Sequence, residues 1–350
     1  MTERKETKKI IPIPAKKIQE GRGLDLGTAF IHCAQKTGSQ VTFRTQRNAF
    51  FDIEYSDFVQ GILEKGGVKY ILDENRIYVV GDDSIKFANV FSKTTRRPLR
   101  SGVINPKEAE ALQVLELIVK STLGSPSKKN ETVFYSVPGA PVDADFDTIY
   151  HQNIIKGFLE KWGYIPKPIN EALAVIFSEL GEDNFTGLGI SMGGGMINVC
   201  LALMSVPVFS FSIARAGDWI DEQVAMVANE PISKITILKE TSLDLRKSES
   251  NLTKIEQAFF IYYNNLIEYI LEQIKKEISK NGEIPEFEKS IPIIISGGTA
   301  NPPGFIGKFK DRLERANFPL KIKEVRLAPN PLYTVAKGAL IVAIADKKES

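Results

Sequence analysis

Cysteine and histidine are almost missing from this chain, and each scarcity removes a class of chemistry. Two cysteines in 350 residues, Cys33 and Cys200, cannot build a disulfide framework. Two histidines, His32 and His151, leave no cluster at metal-ligand spacing. Both cysteines lie in apolar, strand-like runs and read as small buried core residues, which suits a reducing, cytoplasmic compartment. No apolar stretch approaches the roughly 20 residues of a membrane-spanning helix; the longest candidate, Gly338 to Ala345, falls far short. No G-x-x-x-x-G-K-[ST] occurs, so the chain is not a P-loop enzyme. One-sided charge is lacking too: a net +2 gives no reason to expect nucleic acid as a direct partner.

What remains is ordinary globular composition, 43% apolar and 25% charged, in a chain long enough for two domains or one bilobed domain. The first 20 residues carry six Lys/Arg, three Glu and two prolines. Without an apolar h-region they do not read as a secretory signal, and Pro12 and Pro14 interrupt any membrane-surface helix. Residues 1–21 are expected to be a flexible basic tail. Beyond it, strands and helices alternate. Helices are expected over Lys107–Thr122, Asp147–Trp162, Asn170–Leu180, Leu252–Ser279 and Leu332–Ala345, and after Asp218. Strands are expected over Arg76–Val80, Thr132–Val137, Val208–Ile213 and Ile291–Ser296. This is an α/β pattern.

An internal repeat organises the pattern. Gly23-Leu24-Asp25-Leu26-Gly27-Thr28 aligns with Gly189-Ile190-Ser191-Met192-Gly193-Gly194. Each is an apolar strand that breaks at a tight glycine turn and resumes as a second strand. Such a turn offers backbone N–H groups with no side chains in the way, which suits phosphate oxygens. Two of them facing across a cleft would hold a polyphosphate from both sides.

These residues also carry a resemblance. The first bend resembles the first phosphate loop of the superfamily of actin, DnaK-type chaperones and sugar kinases, and Gly189–Gly195 resembles the second. Ile293–Ala300 resembles the adenosine loop. Ile169–Ala174 is similar to the connecting helix that carries the family's water-positioning glutamate, and Arg215–Glu222 to its GGDRFDE-like stretch. Two further stretches point to bacterial actins of the MreB and MamK kind. They are Tyr78–Asp82 followed by Arg97–Ile104, and Asn330–Ala339, which resemble "VG…RPLxDGVI" and "DPLxxVAxGA".

The resemblance implies an actin-like, duplicated ribonuclease H-like fold of two lobes with a central nucleotide cleft. Lobe I would span 22–186, with helix 331–346 packing back on it, and lobe II 187–330. ATP and Mg²⁺ would be the cofactors. Asp25 would orient Mg²⁺ through water, and Glu171 would position the attacking water. Gly27, Thr28, Ala29, Ser191, Gly193, Gly194 and Gly195 would hold the phosphates. Gly217, Asp218, Lys239, Gly297, Gly298 and Thr299 would line the adenosine side. The implied function is a nucleotide-dependent cytoskeletal protein that self-associates into filaments. The alternatives are a non-polymerising, weakly hydrolysing switch or scaffold and, more remotely, a small-molecule kinase.

Two departures bear on activity. Ser191 stands where the family has a second aspartate and where the first repeat has Asp25. Losing one preorganised electrostatic group commonly costs on the order of 10²–10³ in rate. Between Lys239 and Leu252 there is also no length for the small β-containing subdomain that MreB-like proteins place over the nucleotide. Two rival motifs fail. Gly189–Gly193 spells the G-x-S-x-G of serine hydrolases, but both histidines precede Ser191 and the following segment is strand-like. Asp143, Asp145 and Asp147 alternate like a calcium loop but lack its downstream glycine and glutamate, and read as a solvated turn.

Overall fold

The two repeats fold alike. In a computed structural model that describes residues 21–280 and 290–346, β1 (Arg22–Leu26) turns at Gly27 into β2 (Phe30–Thr37). Residues 1–20 of the expected tail lie outside the described residues. In lobe II, β11 (Gly187–Met192) turns at Gly193 into β12 (Ile197–Leu203). A Cβ on Gly27 would sit 2.7 Å from the Phe30 carbonyl oxygen, and one on Gly193 2.9 Å from that of Met196. The two turns therefore need glycine for the same steric reason.

Lobe I continues with β3 (Gln40–Arg47), β4 (Phe50–Glu54), α1 (Asp57–Lys65), β5 (Tyr70–Asp73), β6 (Arg76–Val80) and α2 (Asp82–Ala88). A short hairpin, β7 (Leu99–Arg100) and β8 (Val103–Ile104), precedes α3 (Ala111–Leu123), β9 (Glu131–Val137), α4 (Ile149–Lys161), β10 (Tyr164–Asn170) and α5 (Glu171–Glu179). In lobe II, β13 (Val206–Ile213), α6 (Gly217–Ala228), α7 (Ile232–Thr241) and α8 (Lys254–Lys280) follow β12. The chain then forms β14 (Ile291–Ser296), α9 (Phe305–Arg315), β15 (Ile322–Leu327) and α10 (Thr334–Ala345).

The main sheets run β10-β9-β1-β2-β3 and β15-β14-β11-β12-β13. In each, the repeat strand pairs antiparallel with the next strand and parallel with a later one. The duplication seen in six residues thus extends to two whole sheets of identical connectivity. Lobe I adds a three-stranded sheet, β4-β6-β5, whose core includes Phe51, Ile53, Leu63, Ile77 and Val79. Among the described residues no strand lies between α6 and α8, so lobe II has no matching sheet there.

Most elements fall where the sequence places them, and four helices, α3, α4, α8 and α10, start two or more residues later than expected. At α4, the Asp147 carboxylate accepts from the Ile149 N–H at 2.7 Å, an Asx turn that competes with helix. Asn105 does the same to Lys107 before α3, and the Asn330 carbonyl accepts from Tyr333 N–H before α10. The segment after Gly193 is strand β12 and not a helix, which removes the hydrolase geometry. Asp143 accepts from the N–H groups of Ala214 and Arg215, so it ties two loops together.

The lobes meet through α5 and α10, which share a small-residue core containing Ala172, Ala174, Ala339 and Ala343. Helix α10 packs on β1, β2 and β9, and α5 packs on β11, β12 and β14. The approach is backbone to backbone: a Cβ on Gly338 would overlap the Ala174 carbonyl oxygen. Gly338→Ala must therefore separate two helices, and overpacking of this kind costs about 1–3 kcal/mol. Urea denaturation of the variant should show a lower midpoint with an unchanged slope; an unchanged midpoint contradicts the packing described.

Candidate functional site

Strand β1 carries Asp25 to the edge of the first bend. Its carboxylate accepts from the Ser136 hydroxyl at 3.0 Å, and that hydroxyl accepts in turn from Leu26 N–H at 2.9 Å. Glu171 opens α5, whose first turn is capped by Asn170 accepting from the Ala172 and Leu173 N–H groups. Glu171 Oε2 accepts from Ser191 Oγ at 3.2 Å and from Asn198 Nδ2 at 2.9 Å. Asn198 Oδ1 accepts from Gly139 N–H, which closes a network across both lobes. Burial pushes the Asp25 carboxyl up to about 7, opposed by the Ser136 hydrogen bond. Burial, and then the charge of Asp25, push Glu171 up to about 8. Asp25 is buried and Glu171 half-buried beside it, so each disfavours the other's ionisation.

The two bends meet. Thr28 Oγ1 accepts from Gly102 N–H at 3.1 Å, at the tip of the β7–β8 hairpin. A Cβ on Gly195 would overlap Thr28 Oγ1 and come within 2.7 Å of Gly102 N, and one on Gly102 would overlap Met196 Sδ. The hairpin tip is therefore wedged against both turns. Asn48 steadies the first bend from behind: its N–H donates to the Ala29 carbonyl and its Nδ2 to the Gly27 carbonyl.

A second cluster adjoins the first. Strand β14 ends at Gly297, where φ is +96° and a Cβ would overlap the Met192 carbonyl. Thr299 Oγ1 donates to the Gly193 carbonyl at 2.7 Å. Gly217 lies against Thr299 and Lys239, and Lys239 Nζ donates to the Gly217 carbonyl at 2.9 Å and to Asp221 Oδ2 at 2.8 Å. The lysine expected near ribose and base thus has its ammonium held by α6. Asp218 lies over the second bend, with its N–H donating to the Gly194 carbonyl and its carboxylate paired to Arg97.

Asp25, Thr28, Glu171, Ser191 and the bend glycines Gly27, Gly193, Gly194 and Gly195 are brought together. Gly217, Lys239 and Thr299 join them through Gly193. Ala29 contributes a backbone carbonyl to the back of the first bend, and exposed Gly298 faces Leu332. Sequence reasoning missed Ser136 and Asn198. The available signal was a polar residue inside an otherwise apolar strand, as in Ile197-Asn198-Val199.

The donor set suits a hydrated Mg²⁺ carrying polyphosphate, which needs one or two carboxylates and not a full protein cage. Among the described residues no group of three or more His, Cys, Asp or Glu could hold a metal by itself. Side-chain oxygens Ser296 Oγ and Asn48 Oδ1 are buried without a partner, so unused hydrogen-bonding capacity surrounds the bends.

The raised carboxyl groups make stability depend on pH. Unfolded, both would ionise near pH 4, whereas folded they keep protons to about pH 7–8. The native state therefore binds more protons in that window, and stability falls as pH rises through it. In metal-free buffer the melting temperature should drop between pH 6 and 8.5, and Glu171→Gln should flatten the drop. Parallel curves for the two proteins would contradict this.

No curated protein sequence matches the chain. Its sequence matches the Volactin family over residues 21–343. Among solved structures it is similar to a MamK double helical filament, with TM-score 0.68 and 16% identity over 93% of this chain and 98% of that one. It is similar to MreB 5 of Spiroplasma citri bound to AMPPNP, with TM-score 0.65 and 18% identity over 96% and 98%. The ethanolamine utilization protein EutJ from Carboxydothermus hydrogenoformans gives TM-score 0.52 and 16% identity over 95% and 92%. At such identities the likeness is one of fold. With two lobes of duplicated topology joined at paired glycine bends, the chain belongs to the Volactin family and has the actin-like fold.

Proposed function

We propose that this chain binds ATP with Mg²⁺ between its two lobes and that nucleotide state controls its self-association into filaments. The observation that carries the reading is the meeting of two equivalent glycine bends beside a pair of carboxyl groups. The MamK structure is a filament and the MreB 5 structure holds AMPPNP, and the shared fold supports extending both properties to this chain.

In this reading, amide groups of Gly27, Thr28, Gly194 and Gly195 hold the phosphates, while the Gly193 N–H closes its own turn on the Met196 carbonyl. Gly217, Gly297, Gly298 and Thr299 line the adenosine side, with Lys239 bracing Gly217 from beneath. Bound Mg²⁺ supplies positive charge against the phosphate oxygens. Asp25 would orient its water shell, and Glu171, the other carboxyl group of the pair, would orient the attacking water once deprotonated. Phosphates can enter only if Gly195 parts from Thr28 and Gly102, so occupancy and the spacing of the lobes are coupled. We divide the lobes at 186/187, with 331–346 returning to lobe I and α5 crossing to pack on the lobe II sheet.

A second reading, a non-polymerising switch that hydrolyses poorly, is favoured by two observations. Ser191 donates a hydrogen bond to Glu171 but cannot replace a carboxylate, and no strand lies between α6 and α8 among the described residues. Sedimentation and electron microscopy with and without ATP-Mg²⁺ separate the two. Filaments that appear with ATP support the first; no polymer under any nucleotide, salt or crowding condition leaves the second. For chemistry, Ser191→Asp should raise phosphate release on the order of tenfold or more in Mg²⁺, and lower the melting temperature in EDTA by adding a third buried carboxyl. An unchanged rate overturns the role given to Ser191.

A further inference from the structure

Arg97 lies between α2 and β7 in lobe I, yet it pairs with lobe II. Its Nη1 is 3.0 Å from both carboxylate oxygens of Asp218 in α6. Asp218 in turn covers the second bend: its N–H donates to the Gly194 carbonyl at 2.8 Å, and its Oδ1 lies 3.2 Å from where a Cβ on Gly194 would stand. A guanidinium from one lobe is thus parked, one carboxylate away, above the bend of the other. The chain just beyond is anchored, because Gly102 donates to Thr28 and packs on Met196. Arg97 therefore reaches this place from a fixed base.

The pair is also easy to exchange. Arg97 and Asp218 are 32% and 34% exposed, so water and salt screen their attraction. A phosphate at the second bend offers a guanidinium two oxygens in the same geometry as a carboxylate, with more negative charge.

We propose that Arg97 is a phosphate-binding residue of the cleft, held by Asp218 until the phosphates of a nucleotide displace that carboxylate. The proposal rests on the nucleotide-binding reading above. It assigns Asp218 the part of a competitor for Arg97, so the two side chains have opposite effects on affinity. A brace that merely ties the lobes would give both variants the same sign, because either one breaks the pair.

Calorimetric titration of the full chain with ATP-Mg²⁺ tests this. Arg97→Ala should weaken binding roughly ten- to hundredfold, the usual effect of losing a charged hydrogen bond. Asp218→Asn should tighten it several-fold, and Arg97→Lys should fall between wild type and Arg97→Ala. Melting temperatures of the nucleotide-free variants identify any that fail to fold, and Arg97→Lys then carries the test. Binding weakened equally by Arg97→Ala and Asp218→Asn, or unaltered by either, overturns the proposal while the nucleotide reading stands. No uptake of ATP by the wild type at millimolar concentration overturns the nucleotide reading itself.

Discussion

Three contacts between backbones, each possible only where a side chain is missing, hold the two halves in their relation. Gly23 of β1 lies against the Ala336 carbonyl in α10, Gly189 of β11 against the Ala172 carbonyl in α5, and Gly338 of α10 against the Ala174 carbonyl in α5. A Cβ at any of them would overlap main-chain atoms that have nowhere to go. The chain of contact runs β1, α10, α5, β11, so each repeat strand rests on one helix and the two helices rest on each other. The position of one glycine bend relative to the other follows from this stack.

Against that symmetric frame, the chemistry is asymmetric. Asp25 and Ser191 occupy equivalent places, paired across their strands with His32 and Asn198. The first repeat brings a carboxyl group and the second a hydroxyl, and the second charged group comes from Glu171 at the start of α5. Asp25 and Glu171 disfavour each other's ionisation.

The lobes also differ at their periphery. Lobe I has a small sheet with its own apolar core, and its connection to the main body runs through Arg96, Arg97 and the β7–β8 hairpin. In lobe II, α6 and α7 are joined by Lys239 and Asp221, a buried ion pair of 2.8 Å. Removing either partner would leave the other buried and uncompensated, so α7 is fastened to α6 by charge where lobe I uses a sheet.

Much of this was legible in the linear chain because its determinants are local. The repeat Gly23–Thr28 over Gly189–Gly194 gave both hairpins, the long apolar periodicity gave α8, and Ile291–Ser296 stood out as a buried strand. The helix expected over Asn170–Leu180 is α5, and the family resemblance at Ile169–Ala174 pointed to Glu171 at its start. Helices α3, α4, α8 and α10 start later than periodicity suggests: before α3 and α4 an Asn or Asp side chain satisfies the backbone locally, and before α10 a backbone turn at Asn330 does. What the sequence determined by itself, then, is the duplicated strand–turn–strand unit, because glycine at a tight turn is a requirement of a few neighbouring atoms. Tertiary structure alone decided that Ser136 and Asn198 join the site, that Lys239 serves Asp221 and Gly217, and that Arg97 crosses to Asp218. Those partners are 18 to 121 residues apart along the chain, and sheet pairing, helix packing within lobe II and the approach of the lobes bring them within reach.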